Sequence, residues 1–168
     1  MKWCLVTAIF LNYLLYQEVA ANVIQDRNLF ATELFQTIAS DKQYENVIIS
    51  PVAIQTALGL AYYGADGKTA TELQRSLHAQ SQSRNGIAKS YHKLLHSFVK
   101  PKTTLEIANK IYAKDELVIE PEFREAAQKY FDSDAEQLDF TDEPKAVDKI
   151  NKWLAEKTNG KIKHVWII

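Results

Sequence analysis

The stretch Asn46 to Leu77, NVIISPVAIQTALGLAYYGADGKTATELQRSL, decides how this chain is organised. Val47, Ile48 and Ile49 are β-branched and run into Ser50 and Pro51, which suit the N-cap and first-turn positions of a helix. The pattern predicts a buried strand feeding a helix. From Val52 to Tyr63 that helix carries Ile54, Ala57, Leu58, Leu60 and Ala61 and no charge, so most of its circumference calls for cover and it reads as a central helix. Gly64 suits a left-handed ending, and Thr69-Ala70-Thr71-Glu72 has the form of a capping box opening a short second helix through Leu77.

Toward the N-terminus, Phe30, Ala31, Leu34, Phe35 and Ile38 form an apolar stripe at helical spacing, predicting an amphipathic helix to about Ala39. Ser40 to Glu45 is a polar connection. Toward the C-terminus, His78 to Gly86 has no period and reads as a loop. A helix from Gly86 to Phe98 then places Ile87, Tyr91, Leu94, Leu95 and Phe98 on one side. From Leu105 the period changes to two: Leu105, Ile107, Asn109 and Ile111 share one face of a strand, Ala108 and Tyr112 the other. Pro121 opens another helix with Phe123, Ala126, Ala127, Tyr130 and Phe131 as its apolar side. A second strand is expected at Ala135 to Phe140. A last helix runs from Thr141-Asp142-Glu143-Pro144, with Val147, Ile150, Trp153 and Leu154, to a close at Asn159-Gly160. The class is α+β, mostly helices with few strands.

At 168 residues and 46% apolar composition, one domain with a substantial core is expected. A formal charge of −1 gives the whole chain no pull toward nucleic acid or membrane. Residues 1–21 differ from the rest. Met1-Lys2 is a short basic region, Trp3 to Leu15 is largely apolar, and Val19-Ala20-Ala21 offers small residues for cleavage before Asn22. This reads as a secretory signal, leaving a domain of residues 22–168 outside the cell. A membrane anchor or a buried first helix competes, and the short apolar core interrupted by Asn12 counts against both. Cleavage removes Lys2, Glu18 and the only cysteine, Cys4, so 20 basic and 21 acidic residues become 19 and 20, and the mature domain holds no disulfide.

The residues Asn46-Val47-Ile48-Ile49-Ser50-Pro51, Ala57-Leu58, Gly64-Ala65, Lys68-Thr69 and Glu72-Leu73 resemble the helix B and helix C signature of the serpins, large α/β proteins that inhibit serine proteases. Leu105, Ile107-Ala108-Asn109-Lys110-Ile111-Tyr112 is similar to that family's strand 2A. Val147, Ile150-Asn151, Trp153-Leu154 and Lys157-Thr158-Asn159-Gly160-Lys161-Ile162 is similar to its helix F. The resemblance covers residues 24 to about 163 and implies the N-terminal part of the fold, helix A through helix F, with strands of an incomplete sheet A. It implies a secreted serine-type endopeptidase inhibitor, with a serine protease as partner. In the family, a reactive-centre loop is cleaved and inserts into sheet A. No stretch of these 168 residues matches that loop, and the apolar run Val165 to Ile168 reads as an interruption, so a truncated product unable to trap a protease is the expectation. The resemblance also implies a shutter position for Ser50, whereas the second shutter serine, three positions on, is Ala53 here. It implies a structural role for Asn109.

Further candidates lie on the helix matching the family's helix D. Arg84, Lys89, Lys93, Lys100 and Lys102, with His92 and His96 as weaker contributors, form a basic edge for heparin-like glycosaminoglycan or protein, the alternative to inhibition. The ordinary reading, a solvated polar face, is favoured by the wide spacing and the predominance of lysine. His92 and His96 stand four apart, but no neighbouring acid or cysteine in the sequence completes a zinc motif, so they read as surface histidines and no metal site is expected. Asp139 with Asp142, and Glu122 with Glu125, sit at a strand end or helix start where acids are expected anyway. There is no Gly-rich phosphate loop and no Gly-x-Ser-x-Gly turn. The expectation is a protein that is not an enzyme and has no cofactor.

Overall fold

A computed structural model describes residues 22–40, 46–97 and 107–165. The signal expectation for residues 1–21 lies outside them. The chain divides into two compact units, Met1–Ile87 and Ala88–Ile168.

The first unit contains helix α1 (residues 22–40), α2 (Pro51–Gly64), α3 (Gly67–Ser76) and the start of α4 (Arg84–Ser97). Pro51 sits in the first turn of α2 as its fixed φ and missing N–H dictate, and the Ser50 carbonyl accepts the N–H groups of Ala53 and Ile54 at 3.1 and 3.2 Å. The expected cover all round α2 is not found. It buries one stripe, Gln55, Thr56, Gly59, Leu60 and Tyr62, while Ala57 and Ala61 are exposed. Two of the buried residues are polar, and each has its bond: Gln55 Nε2 donates to the Arg27 carbonyl of α1 at 2.7 Å, and Thr56 Oγ1 donates to the Val52 carbonyl at 2.7 Å. The uncharged composition of α2 thus reflects small residues on its open side.

Three other expectations are corrected here. Residues 46–50 form no strand, and Ile48 is 96% exposed. β-branched residues favour an extended backbone, but a strand also needs a neighbour for its N–H and C=O groups, and none lies alongside among the described residues. Gly64 stays helical. The left-handed residue is Gly67 (φ 56°), which opens α3 two residues before the expected box. Thr69 to Glu72 consequently lies within α3, where Glu72 makes an exposed ion pair with Lys68 at 3.6 Å instead of a cap. The loop after α3 closes in a Schellman arrangement, with His78 at φ 53°, its N–H on the Arg75 carbonyl and the Ala79 N–H on the Gln74 carbonyl, both 3.0 Å. His78 Nε2 lies 2.8 Å from Glu33 Oε2, which ties this loop to α1.

The second unit continues α4 and adds β1 (Lys110–Lys114), α5 (Pro121–Phe131), β2 (Asp134–Leu138) and α6 (Glu143–Lys157). β1 and β2 pair in parallel, Lys110 against Asp134 through Lys114 against Leu138, with α5 as the crossover that parallel pairing demands. Both strands are displaced from the expected ranges. The first begins at Lys110, with 107–109 outside the ladder and Leu105 outside the described residues; the second stops at Leu138, leaving Phe140 44% exposed. The ladder runs only where each strand finds the other. Phe131, Ala127 and Ala126 of α5 are buried together with Ala135 and Leu138 of β2, and the Phe131 ring lies 5.9 Å from that of Tyr91 on α4. Asp142 caps α6 through Lys145 N–H, and Asn159 (φ 52°) and Gly160 (φ 73°) close it as expected.

One charge network joins the sheet to α6. Lys110 Nζ is 2.6 Å from Glu136 Oε2 across the strand pair, and Lys149 Nζ bonds the other carboxylate oxygen from α6. The Lys110 ammonium also lies 5.1 and 5.8 Å from the ring centroids of Tyr112 and Trp153. Hydrogen bonds from Lys110 and then Lys149 hold the Glu136 carboxyl below its ordinary value of 4.5. Burial is the largest single influence on Lys110 and works to lower it; the Glu136 hydrogen bond together with the charges of Tyr112, Glu136 and Asp134 overcomes it and leaves the ammonium raised above 10.5.

Two expected outcomes follow from this packing. Phe131→Ala, at a residue 1% exposed, lowers stability by about 3–5 kcal/mol in urea unfolding. Glu136→Gln lowers it by about 1–3 kcal/mol at neutral pH, because Lys110 loses its partner in a half-buried position. The pH dependence has a definite sign. A carboxylate with a depressed folded-state pKa stabilises above its unfolded value and loses that contribution as pH falls through the folded one. The wild-type chain therefore loses stability below about pH 4.5 more steeply than Glu136→Gln, and equal acid slopes would rule the network out as a stabilising feature.

Candidate functional site

Of the five residues on the expected basic edge, two are exposed on α4. Arg84 is committed: its Nη1 donates to the Tyr63 carbonyl at 3.1 Å and its guanidinium lies 5.4 Å from the Tyr62 ring centroid, half-buried in the first unit. Lys89 and Lys93 are exposed and one turn apart, so they share a face; Arg84, five residues before Lys89, points roughly 140° away around the helix. Lys100 and Lys102 lie outside the described residues. The guanidinium best suited to a sulfate is thus engaged by the last turn of α2.

Ser50 occupies the N-cap position of α2 and is exposed, but its hydroxyl makes no capping bond. Ala53, one turn on, is half-buried and brings no hydroxyl. Asn109 immediately precedes β1. Its carbonyl accepts from Ser133 Oγ at 2.8 Å, while its Nδ2 is buried with no hydrogen-bond partner among the described residues. Both residues border a groove of about 580 Å³ at the leading ends of the two strands, rimmed also by Lys110, Asp134, Trp153 and Lys157.

The groove does not read as a catalytic centre. Ser133 is buried, but its hydroxyl proton is directed at the Asn109 carbonyl, with the Asp134 carbonyl at 3.3 Å as a weaker acceptor, and no histidine lines the groove to activate it. The candidate carboxylate pairs are equally ordinary. Asp139 accepts from the Thr141 hydroxyl and backbone N–H, and Asp142 from the Lys145 ammonium and N–H; these bonds lower both carboxyls, which keeps them ionised. Glu122 and Glu125 are exposed on α5, and Glu122 sits in its first turn, where the helix dipole favours it.

Two residues have roles that the local sequence does not show. Arg84 stands among the candidate ligand-binding cations, and nothing local shows that Tyr62 and Tyr63 come back to it. Asp132 was not singled out, yet it takes the left-handed position (φ 47°) that ends α5 and brings a carboxylate to His96 of α4, at 3.9 Å. An Asp between a helix and a strand is a weak signal for that conformation.

A family profile described as Serpin (serine protease inhibitor) matches residues 25–167. Serine protease inhibitor 42Dd of Drosophila melanogaster is 34% identical over 133 residues, which is 78% of this chain and 36% of that protein. Iripin-1 of Ixodes ricinus is 36% identical over 144 residues, 83% of this chain and 36% of the relative. Among solved structures, Serpin48 of Tenebrio molitor superposes with a TM-score of 0.81 at 27% identity, covering 88% of this chain and 40% of that one. The chain therefore spans well under half the length of the relatives it matches. With the profile extending from α1 to the end of the described C-terminal segment, the chain belongs to the serpin family.

Proposed function

We propose that this chain is the N-terminal part of a secreted inhibitor of serine proteases, supplying the frame of the trap and not the bait. The observation that carries the reading is the family match over residues 25–167, supported by a two-stranded parallel pair whose β1 pairs only with β2 among the described residues. By the family resemblance β1 corresponds to strand 2A, the side on which sheet A continues toward the inserting loop. The basic, apolar and small-residue regions of residues 1–21 support export and cleavage before Asn22. The partner is a serine protease of the trypsin-like or chymotrypsin-like class, and the chain performs no catalysis.

Within these 168 residues no segment serves as bait, so the polypeptide alone leaves proteases active. A chimera in which residues 25–163 replace the matching part of Serine protease inhibitor 42Dd tests the frame directly. Heparin-like binding through Lys89 and Lys93, with Lys100 and Lys102, is the competing reading, weakened by the engagement of Arg84.

The expected outcome with a protease panel is no SDS-resistant adduct for the 168-residue chain and a stable 1:1 adduct for a chimera that melts cooperatively. A cooperatively melting chimera that is only hydrolysed as a substrate would show that this frame does not support trapping. Expression in eukaryotic cells should release material whose first residue is Asn22, and retention of residues 1–21 on an intracellular product would overturn the secretory reading. On a heparin column, elution at or below physiological salt is expected; retention well above it, lost in Lys89→Ala/Lys93→Ala, would favour the binding-module reading instead.

A further inference from the structure

The second unit brings together three side chains that the inhibitor reading does not use. His92 and His96 are one turn apart on α4, and their ring centroids are 4.1 Å apart. Asp132, delivered by the left-handed residue that ends α5, places Oδ2 at 3.9 Å from His96 Nδ1. One ring nitrogen from each histidine and one Asp132 oxygen all lie within 4.8 Å of one another. Among the described residues this is the one such group of histidine, cysteine and acidic ligands.

Two details distinguish it from a chance surface cluster. His92 Nδ1 is buried and has no hydrogen-bond partner among the described residues, so the ring keeps an unused polar atom away from water. His96 Nδ1 lies 2.9 Å from the His92 carbonyl, which can only accept; Nδ1 therefore carries the bonding proton, and Nε2 is the ring nitrogen left to take a metal. An imidazole whose far N–H is anchored on a backbone carbonyl is the arrangement that metal-binding histidines use to fix tautomer and ring orientation.

We propose that His92, His96 and Asp132 bind a divalent transition-metal ion, with Zn²⁺ the best fit to two imidazole nitrogens and one carboxylate oxygen. Calcium and magnesium demand more oxygen ligands, and no thiolate is present to select copper(I). Tetrahedral zinc with bonds of ~2.0–2.1 Å needs ligand atoms about 3.3 Å apart, so the three groups close by roughly an ångström and a half. Rotation of half-exposed side chains supplies that: His96 and Asp132 are 52% and 51% exposed. The fourth position is left for water or a partner's ligand. A bound ion joins the C-terminal turn of α4 to the α5–β2 turn within one compact unit, and so acts as a removable staple. This inference does not depend on the inhibitor reading.

The test is titration of the purified chain with Zn²⁺ followed by calorimetry, with Co²⁺ as a spectroscopic probe. One equivalent of Zn²⁺ with micromolar affinity and visible Co²⁺ absorption bands of a four- or five-coordinate site are expected. Asp132→Asn, which tolerates the left-handed backbone, and His96→Gln, at an exposed position, should each weaken Zn²⁺ by about tenfold or more. His164→Gln, at an exposed residue outside the cluster, should leave it unchanged. Far-UV circular dichroism of each variant confirms that the helices persist. Failure to bind Zn²⁺ below millimolar concentration overturns the proposal, as does Asp132→Asn binding like the wild type, which would reduce the site to a bare histidine pair.

Discussion

Backbone pairing is the constraint on which the second unit depends. An extended segment presents an N–H and a C=O at every residue, and the ladder between β1 and β2 is where those groups meet. Because the pair is parallel, the chain must travel the length of the strand and return, which requires a crossover such as α5. The apolar side of α5, with Phe131 and Ala127 almost fully buried, and Ala135 and Leu138 of β2 then follow from that route. Residues 46–50 have the same local preference but no neighbouring strand among those described, and they remain unpaired. Propensity proposes a strand and pairing decides it.

The helices were legible because their signals are local. The 3.6-residue spacing of apolar residues, Pro51, Pro121 and Pro144 in first turns, and Asn159-Gly160 at a close each act within one turn of the residue that carries them. What escaped is non-local or ambiguous in sign. Gly64 and Gly67 both suit a left-handed position, and the sequence does not say which supplies it. The breadth of cover on α2 was over-read, because alanine and glycine on an open face look the same in sequence as alanine and glycine against a neighbour. Strand bounds were displaced because apolar alternation marks burial, whereas the ladder is set by the partner's register.

The candidate sites show the same division. A run of cations is visible in sequence, but whether each faces solvent is not. Arg84 looks like the best anion ligand of the set until Tyr62 and Tyr63, more than twenty residues earlier, are seen to occupy it. Nothing in the local sequence marks Glu136, yet it gathers Lys110 from the paired strand and Lys149 from a later helix, and the opposite pKa displacements of Glu136 and Lys110 share their hydrogen bond as one cause. Asp132 illustrates the converse of Arg84: a residue of no obvious promise becomes a potential ligand because the end of α5 points it at α4.

The edge of β1 that is unpaired among the described residues and the buried amide of Asn109 have a common explanation in backbone pairing. Asn109 stands directly before β1, its carbonyl is used by Ser133, and its Nδ2 is buried without a partner among the described residues. A buried donor left unpaired costs about 1–3 kcal/mol, and an open strand edge offers a row of backbone groups for pairing. A further strand laid along β1 would satisfy both, since it brings carbonyls to the edge and to the residue beside it.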